Sequence, residues 1–231
     1  MANFSRTSPL LQVDIFINTS LLEYRRQPGS GALQVRIISH WNNKQKKRSL
    51  EEVAGALAFI EWRIAGKALL DLENEGFQTD TQSQRLDVVQ ELCAFLIHVT
   101  DRRVHDTMSE EERRRFIVTL ALKLADTYHD NRFDSDGSGK DYRQPFIETL
   151  NTRMADYAEF VFEDRKPGYA FKRYLGEAVT NTMGDRDRKW ISEQVTEIEV
   201  PDMLKTLEKG LKDLFDSGNT ETPSKASAQP G

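Results

Sequence analysis

His98, Asp101 and His105 follow one another at spacings of three and four residues, which sets two imidazoles and a carboxylate on one stripe of a helix. Glu91 and Ala94 extend that stripe. Asp126, His129 and Asp130 offer a second set around TYHD. Were the two stripes to face each other, they would compose a mixed His/carboxylate site of the kind that binds zinc, iron or manganese. Glu61, set among apolar residues in AFIEWRIAG, is a further candidate. A carboxyl group there acts as a general acid or base only if desolvation raises its pKa. The competing expectation for Glu61 is an ion pair with Arg103 on the next helix. The competing expectation for the His98 stripe is that it faces water, opposite the apolar face Val89–Val99. Asp101 and His105 would then form a surface pair worth about 0.2–0.5 kcal/mol.

The doublets His105-Asp106 and His129-Asp130 resemble those of the all-helical His-Asp metal-dependent phosphohydrolases. The resemblance covers the doublets alone. It implies metal-dependent hydrolysis with a divalent cation as cofactor, and carries no further residue over. No Glu-x-x-His pair supports a ferritin-like di-iron centre.

RFDSDGSGKDY, residues 132–142, places Asp134, Asp136, Ser138 and Gly139 on the pattern D-x-[DN]-x-[DN]-G of a calcium loop. The twelfth position, which should close the coordination sphere with a bidentate Glu, is Pro145. Asp, Ser and Gly are also what a polar turn between two helices contains, because they bond their own backbone. The turn is the expected reading.

A fourth region is aromatic and basic. Tyr157, Phe160, Phe162, Tyr169, Phe171, Tyr174 and Trp190 are interleaved with Arg165, Lys166, Lys172 and Arg173. Core packing accounts for most of these rings. The expected surplus, Tyr169, Phe171, Lys172, Arg173, Tyr174 and Trp190, suits a protein contact, where aromatic residues and Arg are enriched. No G-x-S-x-G, Walker or dinucleotide motif is present.

The elements that must position these groups are helical. Ser49 and Ser109 each stand three residues before a Glu, the form of a capping box. Leu50, Val53, Leu57, Ile60, Ile64, Ala68 and Leu72 then recur at helical spacing until Gly76. Further helices are expected over 82–105, 109–132, 143–163, 169–183, 186–197 and 202–215, the last opened by Pro201. Ahead of them, LLQVDIFI (10–17) and LQVRI (33–37) alternate at period two around the turn-forming RRQPGSG, which predicts a small β-hairpin. The fold class expected is therefore mainly α, a bundle of about six to seven helices with an N-terminal hairpin. The divisions are 1–48 for the β element and linker, 49–215 for the bundle and 216–231 for a disordered tail.

A net charge of −5 argues against a general nucleic-acid binder, and the basic run 44–48 is short. The single cysteine, Cys93, excludes an intrachain disulfide and a cysteine-based zinc site. No stretch reads as a signal peptide or a membrane span, so a cytoplasmic protein is expected. These readings converge on a non-catalytic interaction or regulatory protein, without cofactor. It would bind a protein partner, or a second copy of itself, through the β element or the aromatic half. The alternative is a metal-dependent hydrolase using His98, Asp101, His105, His129, Asp130 and Glu61.

Overall fold

Both capping boxes form. Ser49 Oγ accepts the Glu52 N–H at 3.1 Å while the Glu52 carboxylate takes the Ser49 N–H at 2.9 Å. Ser109 and Glu112 repeat the exchange. In the computed structural model, residues 48–216 are described, apart from Ser138, Asp185, Asp187 and the side chain of Lys189. The hairpin expected between residues 10 and 37, and the tail after residue 216, lie outside the described residues.

The protein is a mainly α, multi-helix bundle. Its helices are α1 (Leu50–Asn74), α2 (Gln82–Val104), α3 (Glu110–Asp136) and α4 (Arg143–Ala158), then α5 (Tyr169–Met183), α6 (Arg188–Gln194) and α7 (Val200–Asp216). A two-stranded antiparallel hairpin, β1 (Phe162–Glu163) with β2 (Lys166–Pro167), joins α4 to α5. Among the described residues no helix is long and apolar enough to cross a membrane.

Helix α2 is the axis of the fold, touched by α1, α3, α4 and α5. Of its 23 residues, 17 are buried, on every side of the helix. Helix α1 lies against α2, α3 and α7, and α5 carries α6. The core runs continuously from Leu57 and Leu72 through Leu92, Phe95 and Leu96 to Phe116, Phe146 and Phe171.

Two departures from the expected elements have local causes. Helix α4 stops at Ala158 rather than near residue 163, because Phe160 and Phe162 leave the helix to pack on Phe171, each at 6.2 Å between ring centres. Val161 is 60% exposed as a result. The hairpin turn holds Asp164 and Arg165 at φ of 50° and 61°. That pair of positive angles is what a type I′ turn demands, here met without glycine. Second, α6 and α7 are joined rather than separate. Between them Val195–Glu199 forms a π-helical turn in which the Val200 N–H donates to Val195 O, five residues back. Pro201 follows at once, so the break predicted there is absorbed as one widened turn.

Candidate functional site

The polar groups of α2 are inside the protein, not on its surface. His98 is 3% exposed and Asp101 is 6% exposed, which overturns the expectation that their ridge faces water. The reason is that α2 has no solvent side. Several of its polar side chains meet partners from surrounding elements. Arg113 Nη1 donates to both Asp101 oxygens at 2.9 Å. Arg153 donates to Glu91 as a fork, at 2.6 and 2.7 Å. Such bidentate pairs are among the strongest hydrogen-bonded contacts, and they fix α3 and α4 to the axis.

His98 Nε2 accepts from Arg102 Nε at 3.1 Å, while its ring lies 5.6 Å from that of Tyr157 and 5.4 Å from that of Phe171. Burial, with Arg102 and Arg113 nearby, pushes its pKa down to about 3. It is a neutral core imidazole beside two guanidinium groups, a setting that repels a cation. His105 caps the exposed end of α2 and bonds Asp106 at 3.0 Å. His129 accepts the Tyr142 N–H at 3.2 Å, and Asp130 beside it is exposed. The imidazoles thus occupy separate surroundings. Among the described residues no group of three or more His, Cys, Asp or Glu stands where it would share a metal ion.

Glu61 does not pair with Arg103. Thr100 Oγ1 donates to it at 2.6 Å, and the Arg103 side chain instead reaches Arg165 O at 3.4 Å. Burial pushes the Glu61 carboxyl up to about 8 against the pull of the Thr100 bond. It is fully buried, packed in the core with Cys93, whose thiol burial also pushes up. Asp134 and Asp136 are helical residues, since α3 continues past Arg132 to Gly137, whose φ of 59° ends it. Asp136 accepts from Tyr142 Oη at 2.7 Å and Ser83 Oγ at 2.9 Å, which hold its carboxyl below the usual range. Ser138 lies outside the described residues.

The aromatic segment is mostly interior. Phe171, expected at a contact surface, is fully buried and stacks on Tyr157 at 4.6 Å. Tyr174 is half-buried, donating to Asp156 and accepting from Arg153. Lys172 is half-buried and Arg173 pairs along its own helix with Glu177 at 2.9 Å. Tyr169 and Trp190 remain exposed, at 65% and 56%.

A concave feature among the described residues lies elsewhere, between α1 and α7. Phe59, Ile60, Arg63, Ile64, Lys67, Ala68 and Asp71 form one wall of a cleft of about 370 Å³. Glu199, Asp202, Met203 and Thr206 form the other, from the π-helical turn and the start of α7. Ile60, Ile64, Ala68 and Met203 give it an apolar floor. The helices close together at Gly210, where a Cβ would come within 3.1 Å of Ile60 Cγ2. Lys67 ties the walls, bonding Asp71 on its own helix and reaching Asp202 across the cleft at 3.6 Å. Glu199 is 3% exposed and takes a bond from Gln194 Nε2 at 3.2 Å. Burial raises its pKa, with Asp71 and Asp202 adding to the effect.

The lip is apolar and outward-facing. Phe59 is 64% exposed, and the Arg63 guanidinium sits 5.8 Å from its ring centre. Arg63 has no ion-pair partner among the described residues. Leu70, 50% exposed, shares the stripe of Phe59 three turns along α1, and Ile198 in the π-helical turn is 57% exposed. The sequence carries a signal for this surface. Phe59 and Leu70 fall off the apolar stripe of α1 yet are eleven residues apart, so they align with each other. Chemically the cleft can hold apolar side chains and offer one guanidinium to a carboxylate. Its described lining residues include no nucleophile–base pair. Compared with known proteins, the chain matches no family model, no curated protein and no solved structure.

Proposed function

We propose that this protein is a non-catalytic binding module that holds an apolar segment of a protein partner in the α1–α7 cleft, with Arg63 receiving a carboxylate from that segment. The observation that carries the reading is Phe59, 64% exposed at the mouth of a cleft with an apolar floor. A large aromatic left in water beside a concave surface is recovered when something covers it. Arg and aromatic residues together are also the compositional mark of contact surfaces. Covering Phe59 alone supplies about 1.5–3 kcal/mol, which is roughly a tenfold to hundredfold gain in affinity. We place this activity in the cytoplasm, supported by a lone cysteine that is buried in the core.

Selection of twelve-residue peptides displayed on phage tests this, with the Phe59→Ala, Met203→Lys double variant as the counter-selecting bait. The expected result is enrichment of peptides with apolar residues around an Asp or Glu, lost on the variant. Enrichment indifferent to the variant, or none, contradicts the proposal.

A further inference from the structure

We propose that the chain carries its own ligand for this cleft, the segment Leu10–Ile17, which docks there until a partner displaces it. The inference rests on the reading of the cleft as a binding site. Three observations select this occupant. The first is chemistry: LLQVDIFI is apolar except for Gln12 and Asp14, so it brings side chains for the floor and a single carboxylate for Arg63. Arg63 is the cleft cation that has no ion-pair partner among the described residues, whereas Lys67 already bonds Asp71.

The second is charge. Residues 1–47 hold seven Lys/Arg against two Asp/Glu, a net of +5 within a chain of net −5, so the remaining residues carry −10. An arm and a body of opposite sign attract each other, and that attraction raises the rate at which the arm finds its site. The third is reach. The described chain begins at Arg48, directly before the Ser49 cap of α1. Phe59 lies nine residues beyond Leu50, about 14 Å along the helix at 1.5 Å per residue. Thirty residues separate Ile17 from Arg48, and thirty residues can span at most roughly 100 Å, far more than that distance requires. The segment therefore meets the cleft at a high effective concentration, which a second copy of the chain lacks.

The test uses the full chain with photoreactive benzoylphenylalanine in place of Phe59. Irradiation is expected to give a product of monomer mass whose cross-link maps to residues 10–17. The substitutions Val13→Asp and Ile15→Asp together should cut its yield at least tenfold. They should also strengthen binding of an enriched twelve-residue peptide at least fivefold, because the cleft no longer has to be vacated first. Cross-linking to a second copy, to a segment beyond residue 47, or no better than from the probe placed at exposed Glu148 would overturn the inference. So would unchanged peptide affinity in the double variant. The two proposals separate cleanly. Peptide binding that depends on Phe59 preserves the binding module even without the intrachain product, while peptides that ignore Phe59 remove both.

Discussion

Replacing Glu61 by Gln should change how stability depends on pH, and the size of the change follows from burial. The Glu61 carboxyl is 0% exposed, with its pKa raised from 4.5 to about 8. Between those values the folded chain keeps the proton that the unfolded chain has released. The unfolded state therefore binds fewer protons, and stability falls as pH rises through that window, then levels off above about 8. At about 1.4 kcal/mol per pH unit the full loss approaches 5 kcal/mol, and the portion between pH 6 and 9 is about half of that. Gln does not titrate, so it removes the slope. It also places an amide NH₂ where Glu61 Oε2 has no partner, a cost of about 1–3 kcal/mol that is the same at every pH. Urea unfolding of both proteins at pH 6, 7, 8 and 9 separates the two effects. The variant should gain on the natural protein by about 2–3 kcal/mol across the series. Parallel curves would refute the assignment of a buried, proton-carrying carboxyl.

His98 should act on the acid side. Its folded pKa of about 3 lies below the unfolded value of 6.5, so stability is present above 6.5 and is lost as pH falls toward 3. His98→Phe should flatten that acid slope in urea melts between pH 4 and 7, and an unchanged slope would contradict it. Asp101→Ala leaves the buried Arg113 guanidinium, 4% exposed, with Glu110 at 3.5 Å as its remaining carboxylate, and should cost about 3–5 kcal/mol in the same assay. A loss below 1 kcal/mol would show that water reaches Arg113. Gly176→Ala places a Cβ 2.8 Å from the Ser192 backbone oxygen, so α5 and α6 must part. A loss of about 1–3 kcal/mol in the chemical-denaturation midpoint is expected, and no loss would mean the contact is looser than drawn.

Much of the bundle is legible in the sequence because its determinants are local. The Ser49 and Ser109 caps and the stripe of α1 each act within a few residues of the boundary they set. The facing of α2 is not legible, because it depends on how many neighbours the helix has. A stripe with His98 and Asp101 reads as a wet ridge until Arg113 and Arg153 arrive, 12 and 62 residues away from the carboxylates they meet. The β1–β2 turn escapes notice because Asp164 and Arg165 hold left-handed angles that usually announce themselves with glycine. The cleft is the least visible feature of all. Its walls come from opposite ends of the bundle, and only the outward pair Phe59 and Leu70 hints at it.

The most direct test of the binding account is calorimetric titration of an enriched peptide into the full chain and its Phe59→Ala variant. The account predicts one site per chain, and an affinity at least tenfold weaker in the variant with its unfolding curve unchanged. Equal affinities for the two proteins would contradict it.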